Sequence, residues 1–206
     1  MNGKKIFAAT AALTALALTG AAVAVDGGIP KSYQGPGGPL NDNATSAGVT
    51  RFDIFVPDHG QILDFKAVNL DIAHTWVGDL NITLIHKDSG TAVTLVDRPG
   101  VPESTFGNSD DLNGLYSFQD GFAPLPNASG ATGLIDPGTY GLEPGNSLDA
   151  FNGLDKFGDW SLVITDNAGG DTGALFGWEI VLNNVPAPGA LALIGLAGLV
   201  GGRRRR

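Results

Sequence analysis

The side chains in this chain that could do chemistry are mostly short carboxylates. Of its 206 residues 21 are acidic and 18 of those are Asp, against three His and no Cys. The missing thiols exclude disulfide frameworks, zinc ribbons, iron–sulfur ligation and cysteine nucleophiles in one step. Asp in turn-rich segments suits one task above others, the supply of several oxygens to a hard cation. Asp79 in Gly78-Asp79-Leu80, the pair Asp110-Asp111, and Asp120 in Phe118-Gln119-Asp120-Gly121 are the candidates, and calcium is the ion they would take. No EF-hand spacing accompanies them, because Asp110-Asp111 runs into Leu112-Asn113-Gly114 without a closing Glu. Solvated acidic loops account for the same residues without a metal.

Nucleophilic catalysis has little to work with. His59 sits in the turn Pro57-Asp58-His59-Gly60, His74 ends an alternating stretch, and His86 precedes another turn. There is no Gly-x-Ser-x-Gly elbow and no helix on which a catalytic Ser could open. Sugar binding is the other chemistry to consider, since exposed aromatics can stack on pyranose rings. Trp76, Tyr116 and Tyr140 are the candidates, the two tyrosines in loop-like segments. Nucleic acid is excluded as a partner. All 21 acidic residues lie between Asp26 and Glu179, while six of the twelve basic ones lie at the two ends, so the middle repels phosphate.

These residues are set on short strands. Gly is abundant, at 31 residues, with 12 Pro, yet 43% of the chain is hydrophobic, so frequent turns must surround a packed core. From about residue 50 to 182 the apolar period is two. Phe52, Ile54 and Val56 share one phase, as do Val68, Leu70, Ile72 and His74; Leu80, Ile82 and Leu84; and Trp160, Leu162 and Ile164. Phe176, Trp178, Ile180 and Leu182 repeat the pattern. Leu63, Phe65 and Ala67 follow the opposite phase from Val68, which predicts a bulge near Ala67-Val68. The expectation is an all-β, jelly-roll-like sandwich over residues 50–183. Residues 25–49, rich in Gly and Pro, read as a flexible segment.

The two ends read as addresses. Lys4-Lys5, an apolar run from Ile6 and the small residues Ala22-Val23-Ala24 form a secretory signal helix over residues 1–24. Residues 185–206 combine Val185-Pro186-Ala187-Pro188, an apolar helix too short to span a bilayer comfortably, and Arg203 to Arg206. That tail resembles the bacterial PEP-CTERM sorting signal, with Ala187 where Glu is usual. The resemblance implies handling by signal peptidase and an exosortase, transient membrane anchoring, and delivery to the cell surface or extracellular matrix of a bacterium.

Two internal stretches carry a second resemblance. They are Ile72-Ala73-His74-Thr75-Trp76-Val77-Gly78-Asp79-Leu80, and the run from Gly158-Asp159-Trp160-Ser161-Leu162 through Asp171-Thr172-Gly173-Ala174-Leu175-Phe176-Gly177-Trp178. Together they are similar to the P domain (Homo B domain) that follows the catalytic domain of subtilisin-like proprotein convertases. The resemblance implies an accessory β-sandwich beside a protease, not the protease itself. It makes Trp160 and Trp178 inward anchors, with a separate protease as the expected partner. A carbohydrate-binding or adhesion module of a polysaccharide matrix is the alternative.

Overall fold

Alternation of apolar and polar side chains builds the strands of both sheets. In the computed structural model, residues 29–43 and 48–186 are described. The expected signal helix, the apolar tail helix, Ala187 and Pro188 lie outside them. The strands are β1 (Ile29–Gly35), β2 (Gly38–Pro39), β3 (Val49–Val56), β4 (Gly60–His74), β5 (Leu80–His86), β6 (Thr91–Asp97), β7 (Leu112–Phe118), β8 (Gly138–Tyr140), β9 (Gly158–Asp166) and β10 (Gly173–Pro186). The larger sheet runs β1-β10-β4-β7-β8, with β2 also on β10, and the smaller runs β3-β9-β5-β6. All pairs are antiparallel except β7 with β8. The two sheets pack face to face as a sandwich, the all-β architecture that the alternation predicts.

The core lies between them. Trp160 and Trp178 are both buried, on β9 of one sheet and β10 of the other. Trp160 packs against Phe65, Phe151 and His86, with ring centroids at 5.7, 5.0 and 4.4 Å. Its indole N–H donates to the Lys156 carbonyl at 3.0 Å, so a large apolar ring is buried with no unmet donor.

The structure departs from the sequence pattern in several places. Residues 29–35, expected to be flexible, form strand β1 along the whole of Ile29↔Asn184 to Gly35↔Trp178. An edge strand tolerates Pro30, and half-buried Tyr33 packs on the core, which a reading by Gly and Pro content hides. At the other end β10 continues through Val185 and Pro186, paired with Gln61 and Gly60, so the first half of the expected sorting motif belongs to the sheet. Phe176, expected inward, is 63% exposed, and Leu175 is buried instead. The register of β10 on β4 jumps from Leu175↔Ile72 to Gly177↔Asp71, leaving Phe176 as the extra residue of a bulge. The bulge predicted on β4 falls slightly earlier, at Lys66, and a second irregularity turns Leu63 outward.

Candidate functional site

The last residues of β4 and β9, one from each sheet, meet at what we call the upper end of the sandwich. His74 closes β4 and Asp166 closes β9; both are buried, with Nε2 3.3 Å from Oδ2. His74 Nδ1 is buried without a partner. After His74 the chain turns sharply through Trp76, whose φ of 97° is left-handed, into the one-turn helix Val77–Asp79. A Cβ on Gly78 would stand 2.6 Å from the Asn108 backbone nitrogen, so only Gly permits the β6–β7 loop to lie against this turn. Thr75 Oγ1 donates to Asp171 at 3.2 Å and accepts from Thr172 N at 3.0 Å, pinning the β9–β10 loop to the same place.

The turn delivers Asp79 into this buried corner. Arg98 lies 3.7 Å from its Oδ1 and donates Nε–H to the Gly78 carbonyl at 3.1 Å. Burial first, then the nearby charges of Asp166 and Asp171, push the Asp79 carboxyl up to about 6. The upper end is therefore a crowded, poorly solvated set of acids with one guanidinium.

Of the other candidate metal ligands, Asp110 lies against the same turn, its carbonyl accepting from Val77 N at 2.8 Å. Asp110 is buried, and its Oδ2 accepts from Gly130 N at 2.7 Å while Oδ1 has no partner. Asp111 bridges to the segment at Leu134. Asp120 accepts from Ser147 Oγ and Leu148 N, both at 3.0 Å, and so fixes the one-turn helix Leu148–Phe151. Among the described residues no three His, Asp or Glu side chains come close enough to share an ion.

The sugar candidates separate as well. Trp76 is half-buried, its indole N–H held by the Phe106 carbonyl at 2.6 Å. Tyr116 is fully buried on β7, where its hydroxyl donates to the Ile135 carbonyl at 2.7 Å and accepts from Asn113 N at 3.0 Å. Its expected loop position is thus corrected: Asn113-Gly114 resembles a turn but lies within a strand, and the ring has no face to offer a sugar. Half-buried Tyr140, on β8, donates to the Asp136 carbonyl at 2.7 Å.

Sequence reasoning passed over the opposite, lower end. Lys156 is almost completely buried there, its Nζ donating to Tyr33 Oη at 2.6 Å and lying 3.6 Å from Asp58. Burial draws the Lys156 ammonium below its ordinary pKa, whereas burial and the Asp58 carboxylate push the Tyr33 phenol up. Hydrogen bonds from Lys31 and Tyr33 hold the Asp58 carboxyl below its usual range. Nothing in Leu154-Asp155-Lys156-Phe157 signals a buried cation; the one available hint, a Tyr–Lys–Asp set, is spread over residues 33, 58 and 156.

A family model for the proprotein convertase P-domain matches residues 64–182. The match covers more than half of the sequence, and the chain belongs to that family. No curated protein matches it. Among solved structures the chain is similar to the serine protease of Aeromonas sobria in complex with its chaperone, at 16% identity and TM-score 0.41 over 77% of this chain and 28% of that one. It is also similar to a crystal structure of the serine protease of Aeromonas sobria, at 16% identity and TM-score 0.39 over 76% of this chain and 28% of that one. The chain thus spans 28% of the length of either of those proteins.

Proposed function

We propose that the domain is a non-catalytic accessory module, exported to the bacterial surface or matrix, that docks to or stabilises a separate protein, foremost a subtilisin-like protease. Membership of the P-domain family supports the association with such proteases. The observation that carries the non-catalytic part is how the three histidines are used. His74 pairs with Asp166 and His59 with Asp155, and among the described residues neither ring is hydrogen-bonded to a serine. His86 takes the hydroxyl of Ser89 at 2.9 Å on Nδ1, but its Nε2 faces the Phe157 carbonyl at 3.0 Å in place of a carboxylate. Among the described residues no histidine links a serine to an aspartate, the relay that acyl transfer of this type needs.

The test has two parts. The purified protein should leave peptide substrates intact, and hydrolysis abolished by a serine-directed inhibitor would overturn the reading. Mixed with the subtilisin-like protease encoded nearest to it, the protein should co-elute and raise the melting temperature of the protease. Independent elution with unchanged melting would remove the docking part.

A further inference from the structure

Three aromatic rings stand on the surface of the lower end, and the docking reading does not use them. The His59 imidazole lies flat on Phe157, with centroids 4.0 Å apart and planes 12° from parallel. Phe55, 58% exposed at the end of β3, meets Phe157 edge-on at 5.4 Å and 80°. The set is built, not loose. Asp155 Oδ2 lies 2.7 Å from His59 Nδ1, while its Oδ1 accepts from the backbone N–H of Gly60 at 2.9 Å and of Phe157 at 3.2 Å. One carboxylate, anchored by main-chain donors, therefore fixes the orientation of the imidazole over the phenyl ring.

Charged groups border the rings. Asp159 faces Phe55 across the β3–β9 pair, and Asp53 lies two residues before Phe55 on the same outward face, held by Lys87 at 2.9 Å. Aromatic side chains carry roughly 150–250 Å² each, so these rings alone fall short of the roughly 1,000 Å² a stable protein interface needs. Ring faces bordered by hydrogen-bond acceptors suit a smaller and more polar ligand, one with an apolar C–H face and hydroxyls at its edge. Negative charge adds a filter: the acidic border and a net charge of −9 oppose uronates, sulfates and phosphates.

We propose that His59, Phe157 and Phe55 form a binding platform for the pyranose units of a glycan free of acidic groups. This site is distinct from Trp76, Tyr116 and Tyr140, and it stands or falls separately from docking to a protease. NMR titration of the full chain with cellohexaose and with a glucosamine hexamer tests it. At least one of the two should shift the ring signals of Phe55, Phe157 and His59, and alginate should not. Phe55→Ala and His59→Ala, both at exposed positions and checked for unchanged melting, should each weaken binding about tenfold. Silence of the rings toward both oligomers, equal binding of alginate, or affinity undiminished in both variants would overturn the proposal. So would a basic peptide that shifts the rings while both sugars leave them unchanged, which would assign the surface to a protein partner.

Discussion

The two ends of the sandwich bury opposite charges and solve the problem differently. At the upper end Asp79 and Asp166 are enclosed with His74, and the guanidinium of Arg98 stays 3.7 Å from the nearer acid. At the lower end a single ammonium, Lys156, is enclosed against a phenol, with a half-exposed Asp58 at 3.6 Å. The upper arrangement crowds like charges, so a carboxyl carries the strain as a raised pKa. At the lower one Lys156 donates to Tyr33 of β1, and the Asp58 carboxylate draws both Lys156 and Lys31 of β1, so a cation holds the edge strand in place. A buried charge can thus be a cost to one part of a fold and a fastening for another.

The largest effect that tests this contrast is at the lower end. Trp160→Ala removes the ring on which Phe65, Phe151 and His86 pack and frees the Lys156 carbonyl, and it should cost about 3–5 kcal/mol in denaturant unfolding. A loss below 1 kcal/mol would mean that this end is not packed as described.

Asp79→Asn tests the upper end. Because the folded carboxyl titrates at about 6, above its unfolded value of 3.8, the folded state holds the extra proton between those values. Stability from this group is therefore fully present below the unfolded value and is lost as pH rises through about 6. Asp79→Asn should flatten that segment of the pH–stability curve and raise stability at pH 7 by roughly 2–3 kcal/mol. Unchanged pH dependence would place the strain on another acid.

Lys156→Met sharpens the comparison, since it keeps the volume, removes the buried charge and leaves Tyr33 bonded to Asp58. It should be neutral or stabilising by about 1 kcal/mol in thermal unfolding, while β1 becomes easier to detach in amide exchange. The smallest effects lie outside the two clusters of buried charge. Phe176→Ser, on the bulge, should change stability by less than about 0.5 kcal/mol. Melting in excess calcium against chelator tests the metal candidates: a clear upward shift with calcium would show that Asp79, Asp110, Asp111 or Asp120 holds an ion, and unchanged melting would leave them as solvated acidic loops.

How far the sequence discloses the molecule depends on whether the signal is local. β5 and β9 are legible because every second side chain is apolar and both faces keep their phase throughout, so pattern and burial coincide at Leu80, Ile82, Leu84, Trp160, Leu162 and Ile164. Phe176 is not legible, because its bulge is set by the pairing of β10 with β4, about a hundred residues away in the chain. β1 is hidden by the very residues that let it be an edge, and Tyr116 by a glycine that mimics a turn. At the candidate site His74 and Asp79 were visible through their family motifs. Lys156, Arg98 and the Phe55–Phe157–His59 rings were not, since each depends on partners brought together only by the sandwich.

The position of β10 has a consequence for how the molecule is made. This strand is the last of those in the described residues, yet it lies inside the larger sheet with β1 on one side and β4 on the other. Until its residues have left the ribosome, the first and fourth strands have no shared neighbour and one wall of the core is missing. Closure of the larger sheet therefore waits until β10 has emerged, and the strands made before it lack that neighbour until then.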